Sequence, residues 1–176
     1  MKSHFASKRL SGRARVLVFA AAFAVAFAVA GCAGGARRTE AAGGVEVVRV
    51  WPEYRTAESF DRISEYFTGR ENTGGQIILR TRPENRAGYY FFTRIKTPAA
   101  ITGARLVLEV IMPSSADPRT FTLEVPPLGK GVVLLNPGLT GDDWPDAATR
   151  PNAWRLRLLA ADGSELFARQ SYLWSK

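Results

Sequence analysis

From Val45 onward the chain consists of short runs rich in β-branched and aromatic residues, separated by clusters of Gly, Pro, Asp and Asn. This pattern is typical of strands joined by tight turns. The runs that qualify as strands are 45–51, 76–82, 88–96, 104–112, 120–125, 131–135, 154–160 and 165–174. Seven or eight short strands at regular spacing predict an all-β, two-sheet antiparallel sandwich of immunoglobulin-like kind, rather than a closed barrel.

Several runs alternate between apolar and polar residues, as strands with one buried face do. Phe121, Leu123 and Val125 fall on one side of their run, opposite threonine and glutamate side chains. Asp162-Gly163 predicts a tight hairpin, because glycine readily takes the positive φ angles of such turns. The Cys-Trp-Cys core of true immunoglobulin domains is absent, so the expected likeness is one of architecture.

One segment, TAESFDRISEYF at 56–67, departs from the strand pattern. Phe60, Ile63, Tyr66 and Phe67 recur at helical spacing, and Thr56 precedes them as a possible N-cap. We therefore expect one short helix near residues 56–67, packed by these apolar side chains across an edge or end of the sheets.

The amino-terminal part of the chain has the pattern of a secretory signal. Residues 1–15 are basic and polar, and 16–30 form an unbroken apolar run. Fifteen helical residues span about 22 Å, short of the roughly 30 Å hydrocarbon core, which disfavours a permanent membrane helix. The alternative is an uncleaved anchor that extends through the small residues up to Ala36.

The apolar run ends in Val29-Ala30-Gly31-Cys32, which resembles the lipobox of bacterial lipoproteins. The resemblance implies that residues 1–31 are a signal peptide, that a peptidase cuts before Cys32, and that Cys32 carries a diacylglycerol and an amide-linked fatty acid such as palmitate. Ala33 stands where an Asp would signal inner-membrane retention in enteric lipoproteins. We therefore expect a lipid-anchored protein of the cell envelope, with the outer membrane favoured over the inner.

After the cysteine, the Gly-rich stretch up to Gly44 has no apolar period and is typical of a flexible tether. The expected organisation is a signal peptide at 1–31, a lipidated cysteine and tether at 32–44, and a β-sandwich domain at 45–176. Gly138-Leu139-Thr140-Gly141, Asp143-Trp144-Pro145 and the final Ser171-Tyr172-Leu173-Trp174 are similar to segments of small envelope lipoproteins of Gram-negative bacteria. That resemblance implies no particular activity.

A net charge of +8 would favour binding to nucleic acid, but much of this charge lies in the expected signal peptide. The five bases among residues 1–31, with no acid beside them, are Lys2, Lys8, Arg9, Arg13 and Arg15. The remainder therefore carries only +3, on bases that are scattered along the chain. We expect no nucleic-acid partner.

The distribution of histidine and cysteine excludes several classes of enzyme. His4 is the only histidine and Cys32 the only cysteine, so the domain after the tether has no imidazole and no thiol. Ser-His and Cys-His nucleophile systems and the usual zinc sites need those groups. No P-loop or dinucleotide-binding glycine motif is present. We expect a protein that is not an enzyme and that uses no cofactor and no metal.

Carboxylates remain as candidates, and the densest group is Asp142, Asp143 and Asp146 in GLTGDDWPDAATRPN. Paired acids alone can hydrolyse glycosides, and several loop oxygens can hold calcium, although the spacing does not match an EF-hand. An ordinary solvated turn is the favoured reading.

Aromatic side chains are the second group of candidates for a binding site, because an exposed Trp can stack on a sugar or enter a protein interface. The candidates are Trp51, Trp144, Trp154 and Trp174. Trp154 and Trp174 lie in predicted strands and are expected in the core, whereas Trp144 lies in a loop. Trp144 is thus the best candidate of the four for a ligand contact, although packing over the end of the sandwich is the favoured reading of this residue as well.

Arginines form the last candidate set: Arg80, Arg82, Arg94, Arg155 and Arg157. They could line an anion-binding sheet face, although a solvated outer face is favoured because acids are dispersed among them. The leading hypothesis is an envelope lipoprotein whose sandwich binds a protein partner or supports an assembly. The alternatives are a carbohydrate or cell-wall binding module and, third, a carboxylate-dependent hydrolase.

Overall fold

Eight strands in a computed structural model of the chain, which describes residues 44–175, form two four-stranded sheets packed face to face. In chain order they are β1 (Glu46–Arg55), β2 (Ile77–Arg80), β3 (Gly88–Thr97), β4 (Arg105–Ile111), β5 (Arg119–Glu124), β6 (Gly131–Thr140), β7 (Ala153–Leu159) and β8 (Glu165–Gln170). The first sheet has the order β1-β3-β6-β2 and the second the order β5-β4-β7-β8. The predicted all-β, two-sheet sandwich is confirmed.

One helix, α1 (Ile63–Thr68), and three short 3₁₀ turns complete the described elements; the turns are Ala57–Phe60, Gly141–Asp143 and Tyr172–Ser175. No helix within residues 44–175 has the length and apolar character needed to cross a membrane.

The core lies between the two sheets and is built from the inward side of each alternating strand. Its largest fully buried side chains include Phe91, Ile95, Leu106, Leu108, Leu135, Leu139, Leu156, Leu158 and Phe167. Val125 is buried as the alternation predicts, and Phe121 and Leu123 pack against the core while partly exposed. The predicted hairpin joins β7 to β8, with Gly163 at a φ of 85°.

The pairing of β2 with β6 is parallel, unlike every other pairing in the two sheets and unlike the wholly antiparallel arrangement expected. The cause is the long connection at residues 56–76, called the crossover below. It leaves β1 at one edge of the first sheet and delivers β2 to the opposite edge, beside β6. Parallel strands need such a connection, since a tight turn can join only antiparallel neighbours.

Strand β6 continues through Asn136-Pro137-Gly138 to Thr140, although a proline-glycine pair typically predicts a turn. Pro137 has no N–H to donate, and the paired residues skip from Tyr90 opposite Gly138 to Thr93 opposite Leu135. The strand register is the same on both sides of this gap. At the other end of the chain, β8 stops at Gln170 and a 3₁₀ turn follows, so this strand is shorter than predicted.

The single helix expected at 56–67 is broken into a 3₁₀ turn and α1, because Asp61 and Arg62 between them are extended. Thr56 makes no side-chain capping hydrogen bond. Of the four apolar side chains expected to pack, only Phe60 does so, against the Tyr90 ring with 4.8 Å between centroids. The other three, Ile63, Tyr66 and Phe67, are 79, 81 and 84% exposed.

Candidate functional site

Trp144 lies at the end of the sandwich and is 5% exposed. Its ring stacks on that of Tyr89, with 4.5 Å between centroids, and its Nε1–H donates to the carbonyl oxygen of Asp146 at 2.9 Å. Stacking and the indole hydrogen bond together bury the side chain without leaving its donor unpaired. Trp144 thus packs over the end of the sandwich, which agrees with the favoured reading of the sequence.

The neighbouring carboxylates are also engaged in holding this loop. The Asp143 carboxylate lies 3.1 Å from Nε of Arg82 and 3.4 Å from Nη2 of Arg119. The Asp146 carboxylate accepts hydrogen bonds from the Thr149 hydroxyl and from the backbone N–H groups of Thr149 and Ala148. These bonds hold the pKa of Asp146 below its usual value, the side-chain bond from Thr149 contributing most.

Asp142 and Asp146 are exposed, and Asp143 is partly buried. Within residues 44–175, no group of three or more acidic, His or Cys side chains is arranged to hold a metal ion. The structure places Asp142, Asp143 and Asp146 in one turn, in which the Asp143 and Asp146 carboxylates bond to other groups of the protein.

Of the other tryptophans, Trp154 and Trp174 are partly buried rather than fully in the core. Trp154 packs edge-on against Phe91, and Trp174 lies under the Arg155 guanidinium. Trp51 is instead 48% exposed on the outer face of the first sheet. A register shift in β1 between Val47 and Arg49 is the cause.

This shift is a β-bulge that exchanges the two faces of the strand. Strict alternation from Val45 and Val47 would turn Trp51 inward. After the bulge Val50 and Tyr54 pack against the core instead, and Trp51 emerges on the outside. No residue type at this point of the sequence marks the bulge.

The crossover lies on the same outer face and is held there by Arg80 and Tyr90. Arg80 forms a two-bonded ion pair with Glu71, with N–O distances of 2.7 and 2.5 Å, and its Nε–H donates to the Tyr90 hydroxyl oxygen. The Tyr90 hydroxyl in turn donates to the carbonyl oxygen of Arg86 at 2.6 Å. The Arg80 guanidinium holds the pKa of Glu71 below its usual value.

Arg86 makes the second attachment of the crossover, through the acids that flank and begin α1. Its guanidinium nitrogens lie 3.0 Å from Oδ1 of Asp61 and 2.8 Å from Oε2 of Glu65. The other Glu65 oxygen accepts the backbone N–H of Asn72. That bond and the Arg86 pair lower the pKa of Glu65. We call the contacts made by Arg80 and Arg86 the arginine clamp.

The arginine clamp leaves the apolar side of α1 facing solvent. Glu65 is turned toward the domain, whereas Ile63, Tyr66 and Phe67 are exposed together at positions i, i+3 and i+4, which share one face of a helix. We call these three side chains the α1 surface. Arg62 and Arg70, at either end of the helix, form no ion pair within residues 44–175.

A groove lies beside the crossover on the outer face of the first sheet, with a volume of about 430 Å³. Its lining residues come mainly from β1, β3 and β6: Arg49, Trp51, Glu53, Arg55, Gln76, Phe92, Thr93, Arg94, Leu134 and Asn136. We call it the sheet groove. It combines exposed aromatic and aliphatic surface with guanidinium and amide groups.

Of the arginines that line the sheet groove, one has an acidic partner and two have none among the described residues. Arg55 pairs with Glu53, while its guanidinium also lies over the Phe92 ring. Arg49 and Arg94 are direct cross-strand neighbours in the ladder between β1 and β3. Neither forms an ion pair with another residue in the described part of the chain.

The five arginines singled out in the sequence do not form one anion-binding face. Arg155 and Arg157 lie on the second sheet, where Arg155 forms a two-bonded pair with Glu109 and Arg157 lies 3.3 Å from the same carboxylate. Arg80 and Arg82 are engaged with acids on the first-sheet side. Arg94 is the member of the set that lines the sheet groove, where it adjoins Arg49.

The proposed lipidation residue Cys32 and the motif residues Val29, Ala30 and Gly31 lie outside the described residues. The proposed signal peptide and most of the proposed tether, up to residue 43, lie outside them as well.

Comparison with known proteins gives a likeness in structure but none in sequence. No family model matches the chain, and no curated protein matches it. Among solved structures, an immunoglobulin-like protein from Pseudomonas aeruginosa is similar, with 16% sequence identity and a TM-score of 0.31. The match covers 72% of this chain and 93% of that one. At this level of similarity it assigns neither an activity nor a binding site.

Proposed function

We propose that this protein is a lipid-anchored lipoprotein of the cell envelope whose non-catalytic β-sandwich binds another protein through the α1 surface. The lipobox-like Val29-Ala30-Gly31-Cys32 supports the anchor, and the lack of histidine and thiol groups after Cys32 supports a non-catalytic role. The observation that carries the protein-binding part is the exposure of Ile63, Tyr66 and Phe67 on a helix that is fixed in place.

An amphipathic helix on a monomeric domain ordinarily turns its apolar side to the core. In α1 the arrangement is reversed, since Glu65 faces the domain and the apolar side faces water. Burial of apolar surface stabilises the folded state by about 25 cal/mol for each Å² removed from water, and the exposed side chains of α1 do not contribute this free energy. A contiguous exposed apolar patch of this kind typically marks an interaction site.

The arginine clamp prepares the α1 surface for binding. Because Arg80 and Arg86 already fix the crossover through Glu71, Asp61 and Glu65, a partner would not bear the entropy cost of ordering this segment. The Tyr and Phe rings are also side chains with few rotatable bonds, and aromatic residues are enriched in protein interfaces.

The partner expected from this chemistry has a shallow apolar pocket with acidic groups at its rim. The pocket would receive Phe67 and Tyr66, and the rim would face Arg62 and Arg70. Three side chains supply less than the roughly 800 Å² per partner of a typical stable interface. Confinement of both proteins to one membrane would raise their effective concentration and compensate for the small area.

The test is photo-crosslinking in cells that produce the full chain, with a photoreactive amino acid replacing Tyr66. The matched control places it at Tyr172, a tyrosine of similar exposure at 76%. We expect a discrete protein adduct from position 66 that is absent from position 172 and is lost when Phe67→Ser is added. Adducts to lipid alone, or the same protein adducts from both positions, would contradict the proposal.

Carbohydrate binding is a second candidate function, favoured by a different surface. The exposed Trp51 ring in the sheet groove supplies the aromatic platform that Trp144 does not. A glycan array probed with the full chain, and with Trp51→Ala beside it, tests this function directly.

A further inference from the structure

We infer that the sheet groove binds a saccharide that carries an anionic group, with the anion between Arg49 and Arg94 and the sugar ring against Trp51. The inference rests on the second candidate function, carbohydrate binding, and names its ligand class. It is independent of the protein-binding role proposed for the α1 surface.

Two like charges lie next to each other in the sheet groove. Arg49 and Arg94 are paired across β1 and β3 on the outer face of the sheet, and both are exposed. Like charges directly opposite each other in a sheet destabilise it. Neither arginine has an acidic partner within residues 44–175, and Glu53, the acid that lines the groove, is paired with Arg55.

An anion between the two guanidinium groups would remove this repulsion. Each guanidinium presents a planar fork of N–H donors that matches the oxygens of a carboxylate or a phosphate. Arg49 is also held in place, because its guanidinium carbon lies 4.0 Å from the centroid of the Trp51 ring. One of the two forks is therefore already oriented before a ligand arrives.

An apolar surface lies next to this pair of arginines. Trp51 is 48% exposed, and Leu134 of β6, the cross-strand partner of Arg94, is 40% exposed. A pyranose ring has an apolar face of C–H groups that can pack on such a surface, while its hydroxyls point outward. An aromatic side chain provides the large, rigid contact area that this packing requires.

A pair of side-chain amides, those of Gln76 and Asn136, also lines the groove. Asn136 Nδ2–H donates to Oε1 of Gln76 at 2.7 Å, and Asn136 is 2% exposed, so the bond is sheltered from water. This bond orients the Gln76 side chain and leaves its NH₂ group to donate to a ligand hydroxyl. The groove thus combines an anion site, an apolar platform and an amide group that can donate a hydrogen bond to a hydroxyl.

A peptide fits the groove less well than a saccharide does. Peptides that bind to sheets commonly add a strand at an edge, where backbone groups are unpaired. The groove lies on the face of the sheet, and its central strand β3 has a neighbour on each side, β1 and β6. Recognition there depends on side chains, which in this groove are mainly guanidinium, amide and aromatic groups.

The experiment is isothermal titration calorimetry on the full chain in detergent, with four probes. An oligogalacturonate supplies carboxylates, glucose 6-phosphate supplies a phosphate, a malto-oligosaccharide is uncharged, and inorganic phosphate is an anion without a sugar. We expect at least one charged sugar to bind at least tenfold more tightly than the malto-oligosaccharide and inorganic phosphate. The tighter of the two charged sugars identifies the anionic group.

Three variants locate the site. Arg94→Gln and Trp51→Ala should each weaken binding of the charged sugar about tenfold or more, the loss expected for one charged hydrogen bond or one stacked ring. The matched control is Arg105→Gln, an exposed arginine on the outer face of the second sheet, and it should leave binding unchanged. Arg94→Gln should also keep or raise Tm, because it removes a repulsion.

The outcomes that overturn the inference are distinct. If the malto-oligosaccharide binds as tightly as the charged sugars, carbohydrate binding stands but the anion site does not. If no sugar binds, both fail. Inorganic phosphate bound as tightly as the sugars would indicate an anion site alone, and a clear loss of Tm in Arg94→Gln would assign that arginine a structural role.

Discussion

At the scale of single residues, Gly138 shows how closely the outer face of the first sheet is packed. A Cβ added there would lie 2.3 Å from Cε1 of Tyr90, so the tyrosine ring rests directly on the glycine backbone. The ring is unable to move aside easily, because its hydroxyl bonds to Arg80 and Arg86 and its face meets Phe60.

We predict that Gly138→Ala lowers the free energy of unfolding by about 1–3 kcal/mol, the usual range for an overpacked site. Urea unfolding of both proteins measures this difference. Gly129→Ala is the matched control, since a Cβ there meets nothing within 4 Å. Equal stability of the two variants would show that the Tyr90 ring is not fixed in place.

The paired carboxylates predict a pH dependence of stability. Hydrogen bonds from Arg80 and Arg155 hold the pKa values of Glu71 and Glu109 below the ordinary 4.5. As pH falls below about 4.5, the unfolded chain takes up protons before the folded chain does, so stability is lost on acidification. Urea unfolding at a series of pH values should show this loss, and a smaller one in Glu109→Gln. Stability that stays constant or rises toward low pH would contradict the prediction.

At the scale of elements, the crossover separates what the sequence could predict from what it could not. The helical spacing of Ile63, Tyr66 and Phe67 correctly predicted a helix, because local spacing determines which side chains share a face. It did not reveal that this face points outward. That outcome depends on Arg86, which lies 21 and 25 residues beyond its partners Glu65 and Asp61.

The same limit applies to the candidate site. Runs of β-branched and aromatic residues bounded by turn residues predicted the strands, and in several of them burial on one face also leaves a period of two in the sequence. The bulge in β1, which exposes Trp51, and the buried position of Trp144 both come from tertiary packing. The arginines of the sheet groove were predictable only in part: Arg94 was singled out, whereas its neighbour Arg49 was not.

Removing one half of the arginine clamp should loosen the crossover without unfolding the sandwich. We predict that Arg86→Gln speeds amide hydrogen exchange across residues 57–75, because Asp61 and Glu65 lose their partner. Exchange in β4 and β7 should not change. The control is Arg70→Gln. Arg70 is an exposed arginine of the same segment, and it forms no ion pair within residues 44–175. Unaltered exchange in Arg86→Gln would mean that other contacts fix the crossover.

At the scale of the whole molecule, the proposed lipid anchor makes the clearest prediction. Cys32→Ala should abolish incorporation of radiolabelled palmitate and release the protein from the membrane fraction, because the thiol that carries the diacylglycerol is gone. Labelling and fractionation of cells that produce either chain measure both effects. A wild-type chain that stays membrane-bound and unlabelled would instead support the uncleaved apolar helix.

The position of β1 also determines how the domain would respond to mechanical load. It begins at Glu46, close to the end of the proposed tether, and its last residue leads into the crossover that presents the α1 surface. If the membrane holds one end and a partner holds the other, part of the tension runs along the length of β1, and the rest enters the domain through the arginine clamp. The hydrogen bonds to β3 are then loaded in shear, all at once, rather than peeled apart one by one. The strand that joins the two proposed attachment points is therefore placed to withstand pulling.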